Sequence, residues 1–163
     1  MTQIVEIAKL PVEEQRQRFK SYMRAIDKND IPIFLRLTMP KEDAYESFWR
    51  NQSHLRCAIV GLAAERYRLA HSQWPDSLSS LVPEFLANVP LDPYDAKPLR
   101  YRRLKDGVVI YSIGPDEVDN GGIIHRKYWI QADGTDVGFQ LWDVNRRRQP
   151  WRPPAKTMER EGQ

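Results

Sequence analysis

The sequence predicts an α+β domain, in which a long N-terminal helix packs on a small antiparallel β-sheet. Three observations carry that prediction. The stretch KEDAYESFWRNQSHLRCAIVGLAAERYRLAHSQ holds no proline. LRYRRL and GVVIYSI flank KDG, whose Asp-Gly step is a strong hairpin signal. KYWIQ and DVGFQLW flank ADGT, a second hairpin by the same logic.

Taken in order, VEEQRQRFKSYMRAID is charged, with sparse apolar points at Val12, Phe19, Met23 and Ile26. It reads as a surface helix that packs weakly. IPIFLRLTMP follows as a linker, because Pro32 and Pro40 break any helix. The proline-free stretch is the spine of the domain, about 45 Å long at 1.5 Å per residue. Its apolar face is read as Phe48, Leu55, Ile59, Leu62 and Leu69, joined by Ala58, Ala63 and Ala70. Arg56, Glu65, Arg66 and Arg68 fill the other face, with Glu65 at ion-pair spacing from Arg68.

Pro75 then opens a short helix carrying Leu78 and Leu81, and Pro83 stops it. Pro90, Pro93 and Pro98 make a rigid connector into the first hairpin. The tail NRRRQPWRPPAKTMEREGQ lacks periodicity and is expected to be disordered. Its basic, Pro-rich start with Trp151 suits a polyproline ligand or a phosphate-seeking arm, against the plainer reading of a solvated linker. The expected organisation is a helical extension and linker at 1–40, the α+β domain at 41–143 and the tail at 144–163.

Bulk properties exclude several classes. With 163 residues, 41% hydrophobic and 29% charged, the chain can bury one core and not two. A formal charge of +3 is mild, and the basic residues are spread along the chain except at Arg146, Arg147 and Arg148, so no nucleic-acid partner is expected. A single cysteine, Cys57, rules out an intramolecular disulfide. No apolar run approaches the roughly 20 residues of a membrane span, and no signal-peptide pattern stands at the start. The chain reads as soluble.

Catalytic candidates are sparse. His54 and Cys57 lie one helical turn apart, but a lone cysteine on an amphipathic helix is commonly a small buried hydrophobe. His71 and His125 share no zinc-ligand spacing with it. No phosphate-binding loop, dinucleotide fingerprint or exposed-serine elbow is present. His125, Arg126 and Lys127 form a contact surface or a solvated loop. Trp74, Tyr94, Tyr101, Tyr111 and Trp129 read as core and turn anchors, with Trp74 pinning the helix end to the sheet.

The segment YSIGPDEVDNGG gathers Asp116, Asp119 and Asn120, with Asp133 and Asp136 able to close from the far side. Calcium takes six to eight oxygens of just these kinds. Asp, Asn and Gly are also what a solvated turn prefers, and the residues alone leave both readings open.

Four motifs in order, ERYRLAHSQWPDSLSSLVPEFL, VPLDPYDAKPLRY, VIYSIGPDEVDNGG and TDVGF, resemble the globular head of the type II secretion major pseudopilin family. The family's forms are YxxxxGxYP, LVPxYL, DPWG and YSxGxDGxxGG, followed by an acid before the last strand. The likeness covers roughly Leu55 to Asp143. The family's processing site and apolar anchoring helix have no counterpart in these residues, and IIHRKYWIQA is an insertion within its metal loop.

The resemblance implies a pseudopilin-like fold and a calcium-stabilised loop. Carried over by motif, Asp116 is the acid after the glycine and Asp136 the acid before the last strand. Asp119 and Asn120 fall where the family places further ligands. It also implies a non-catalytic structural or interaction domain on the extracytoplasmic face of the bacterial envelope, partnered by other envelope or secretion-system proteins. The competing expectation is a soluble enzyme or peptide-binding module that reuses the fold.

Overall fold

The proline-free stretch forms the helix that organises the fold. The computed structural model describes residues 2–27, 42–124 and 135–147. Within them lie α1 (Thr2–Ala8), α2 (Val12–Asp27) and α3 (Glu42–His71), then a 3-10 turn at Leu78–Leu81. Strands β1 (Arg100–Leu104), β2 (Gly107–Ser112) and β3 (Val137–Trp142) follow, and α4 (Val144–Arg147) ends the described chain. The α+β class holds. The long helix is not the N-terminal one, because α1 and α2 precede it.

Good helix formers (Ala, Leu, Arg, Glu) sustain α3 for 30 residues. Arg68 and His71 in its last turn suit the negative end of the helix dipole. Ser72 leaves the helix at φ +59. The face that packs is rotated from the expected one, and of the expected set only Ala63 is buried. Cys57, Val60 and Ala64 are fully buried with Ala63 beside them, whereas Leu62 and Leu69 are each 69% exposed. Phe48, Leu55 and Ile59 are exposed as well. The reason is proximity. A Cβ on Gly61 would stand in ordinary contact, 3.6 Å from Leu141 Cδ1 and 3.8 Å from Ile110 Cδ1, so the helix runs close to the sheet and small side chains fill the seam.

The sheet runs β1-β2-β3, antiparallel throughout. Its central strand β2 is buried along its whole length. Val108 and Ile110 join Cys57, Val60, Ala64, Leu81 and Leu99 in the main core. The KDG hairpin forms as expected, with Leu104 opposite Gly107. Gly107 is required there: its φ is +148, and a Cβ would lie 2.0 Å from the Leu141 carbonyl oxygen.

The 3-10 turn sits where the short helix was expected, with Leu81 fully buried. Trp74 anchors the end of α3: it is 5% exposed, and its Nε1 donates to Asp143 just after β3 at 2.5 Å. The N-terminal helices pack more firmly than their sparse apolar points suggest. Phe19 of α2 is buried in a second cluster with Trp49, Tyr94 and Ile113, and its ring centroid lies 3.8 Å from that of Tyr45. Aromatic size lets one residue do what several aliphatics would.

Val144–Arg147, at the start of the expected tail, form one helical turn. The remainder of the tail, the IPIFLRLTMP linker, and the KYWIQ and ADG portion of the second hairpin lie outside the described residues. So do His125, Arg126, Lys127, Trp129 and Asp133. No described helix is long and apolar enough to cross a membrane.

Candidate functional site

The acidic loop leaves the end of β2 and returns beside the start of β3. Ile113 is buried, Gly114 turns the chain at φ +73, and Gly121 and Gly122 turn it again at φ +68 and +79. At Gly122 the space is also closed, since a Cβ would come within 2.8 Å of Val109 Cγ1.

The four expected site residues do come together. Asp136 accepts from the backbone N–H of Gly122 at 2.7 Å and of Asn120 at 3.2 Å. Asn120 Nδ2 donates to Asp116 at 3.3 Å and to the Val118 carbonyl at 3.1 Å. Asp116 also accepts from the Val118 N–H at 3.2 Å, and Asp119 from the Gly121 N–H at 2.9 Å. Burial raises the Asp136 carboxyl above its ordinary value, and the charges of Asp119 and Asp116 add to the rise, against the pull of the two backbone N–H groups. Through Asp136, the loop is therefore more stable when this acid is protonated, and it loses that contribution as pH rises through the raised value.

As arranged, this donor set does not fit a ready calcium cage. Calcium needs six to eight oxygens converging at 2.3–2.6 Å. Here each carboxylate is turned towards an N–H or a guanidinium, and the Asn120 amide offers its nitrogen inward. Among the described residues no group of three or more His, Cys, Asp or Glu side chains is arranged to hold a metal ion.

Three residues that support the loop receive no role in the motif reading, although Asp92 and Arg100 lie within VPLDPYDAKPLRY. Asp92 is fully buried and accepts from Ser112 Oγ at 2.7 Å, the Tyr94 N–H at 2.9 Å and the Ile113 N–H at 3.0 Å. Arg100 Nη1 donates to Asp92 at 2.7 Å, and Arg100 Nη2 donates to Asp95. Burial raises the Asp95 carboxyl, yet the Arg100 and Lys97 hydrogen bonds outweigh it and leave it below its ordinary value. Arg16 of α2 donates to the Glu117 carboxylate and, at 3.2 Å, to the Pro115 carbonyl. The Asp-Pro step of LDPYD was a usable signal for Asp92; nothing local marks Arg16 or Arg100.

His54 and Cys57 do not form a reactive pair. Cys57 is fully buried with its thiol 3.8 Å from the Val137 carbonyl, and burial pushes its pKa far up, away from a thiolate. His54 packs its ring 5.5 Å from that of Phe139, and burial followed by the Arg50 charge lowers its pKa.

One groove of about 510 Å³ lies between α3 and β3, lined by Ala58, Gly61, Leu62, Phe139, Leu141 and Trp142. Glu65 and Arg147 also line it, and they pair with each other at 2.6 Å. The Arg147 and Arg68 hydrogen bonds hold the Glu65 carboxyl down at about 2.

No family model, curated protein or solved structure matches the chain.

Proposed function

We propose that this chain is a non-catalytic interaction domain, a pseudopilin-like head that serves a bacterial envelope protein or secretion assembly on its extracytoplasmic face. The observation that carries the reading is the outward face of α3. Phe48, Leu55, Leu62 and Leu69 stand seven residues apart, each 42% exposed or more, with Ile59 between them. A seven-residue step supplies one of the two apolar positions in the repeat of supercoiled helix pairs, and Ile59 supplies the other once. Asn51, Gln52 and Ala58 flank the first turns of the stripe without charge, while Glu65 and the exposed Arg66 stand between Leu62 and Leu69. The partner this face suits is therefore another helix with apolar residues at the same step.

The order of the family-like motifs supports the same reading. They fall at the end of α3, on the 3-10 turn, at the Asp92 turn, in the acidic loop and at the entry to β3.

A second reading, a soluble enzyme or peptide-binding module, draws on the groove beside β3. Its apolar walls and self-paired Glu65 and Arg147 favour contact over chemistry.

The test is a pair of outward-face variants, Leu62→Glu and Leu69→Glu, compared by thermal melting. Exposed positions away from special features change stability by about 0.5 kcal/mol or less, so near wild-type melts are expected. A drop of many degrees would mean the stripe serves this domain's own fold, and the interaction reading would lose its support.

A further inference from the structure

The acidic loop carries Asp116, Glu117 and Asp119, with Asp136 pressed against it, and cationic groups of the same chain stand at both its flanks. On one side is Arg16, only 3% exposed. It binds the Glu117 carboxylate and the Pro115 carbonyl, lies 3.7 Å from the Glu46 carboxylate of α3, and sits 4.6 Å from the centre of the Tyr94 ring. Lys20, one turn further along α2, donates to the same Glu117 oxygen at 2.7 Å. On the other side Arg100 joins Asp92 and Asp95, and its Nε lies 3.7 Å from Asp119.

We infer that Arg16 and Arg100 hold the acidic loop in place of a divalent cation, and that α2 acts as the latch that keeps the loop in its shape. This rests on side-chain geometry and stands whether or not the interaction reading does.

The physical grounds are three. A guanidinium is a planar fork that binds two acceptors at once, and it stays charged at any working pH. Burying one is tolerated only with acceptors in place, so the position of Arg16 ties α2 to the loop and to α3 together. The carboxylates also diverge: Glu117 turns to Arg16, Asp119 accepts from the Gly121 N–H with Arg100 3.7 Å away, and Asp136 turns to two backbone N–H groups. Each of these oxygens is held outward by a donor of the chain itself, so the loop's negative charge is answered at its flanks.

Glu117 supplies an independent sign of the latch. It holds φ +59, a left-handed conformation that is uncommon for residues other than glycine, Asn and Asp. A side chain in that strained position is accounted for by its grip on Arg16 and Lys20.

The experiment is a set of thermal melts of the whole chain in excess chelator, in calcium and in magnesium, for the wild type and for Arg100→Gln. Hydrogen exchange at the Gly122 amide, which donates to Asp136, is followed in parallel. The wild type is expected to melt identically in all three solutions. Arg100→Gln is expected to melt lower, and to exchange at Gly122 at least tenfold faster. Lys20→Gln, at a half-exposed position, should speed exchange at Gly122 and leave the melt nearly unchanged. A calcium-specific rise in the wild-type melt would overturn the inference. So would unaltered Gly122 exchange in Arg100→Gln and Lys20→Gln.

Discussion

Arg100 and Asp92 meet beneath the acidic loop, with Nη1 2.7 Å from Oδ2 and the Asp92 side chain wholly shielded from water. Through that one carboxylate, the LDPYD turn, the end of β2 and the first strand of the hairpin are fastened to each other. Truncating Asp92 to Ala leaves the Ser112 hydroxyl and the Tyr94 and Ile113 N–H groups without their acceptor, and takes from Arg100 one of its two carboxylate partners, Asp95 being the other. Removing one partner of such a pair costs about 3–5 kcal/mol. Urea unfolding of Asp92→Ala should show a loss of that order. A loss below about 1 kcal/mol would fit an exposed pair instead and remove the hub from the account.

The contact between α3 and the sheet is held by small residues, and this can be read by enlarging one. Ala64 is fully buried against the core that contains Ile110 and Leu81. Ala64→Leu should cost about 1–3 kcal/mol or more, because added methylenes in a packed core force side chains and backbone to shift. Leu69→Ala, on the outer face, should stay within about 0.5 kcal/mol. Equal effects at the two sites would contradict the burial pattern of the helix.

The KDG hairpin and the extent of α3 were legible because both depend on near neighbours: a turn dipeptide in one case, an unbroken run of helix formers in the other. Which face of α3 turns inward was not. Both faces carry apolar residues, and their period does not say which set meets the sheet; the separation between helix and sheet decides, and it selects Cys57, Gly61 and Ala64 over the leucines. The acidic loop was legible as a cluster of oxygens. What those oxygens bind was not, since the partner of Glu117 lies 101 residues away on α2.

Glu65 should shape the acid limb of stability. Its folded-state pKa is held to about 2 against an ordinary value of 4.5, through hydrogen bonds from Arg147 and Arg68. The contribution is therefore complete above pH 4.5 and is lost as pH falls from there towards 2. Glu65→Gln should lower stability at neutral pH and flatten the decline across that window. Parallel wild-type and variant curves of unfolding free energy against pH would show that the two arginines do not act through this carboxylate.

Trp74 joins two functions that can be separated. Its ring fills the core at the end of α3, with Arg68 and Arg147 5.5 and 5.9 Å from its centre, and its Nε1 reaches Asp143. Trp74→Phe keeps most of the ring and loses the hydrogen bond to a charged acceptor, so a cost of about 1–3 kcal/mol is expected. Trp74→Ala adds a cavity and should cost about 3–5 kcal/mol. Both are read by chemical denaturation, with the slope checked for constancy so that the midpoints compare directly. If Trp74→Phe matched the wild type, the indole nitrogen would play no part in pinning the chain after β3, and the anchor would be packing alone. If Trp74→Ala were equally mild, the end of α3 would be held chiefly by the Glu65 ion pairs and the buried Leu81.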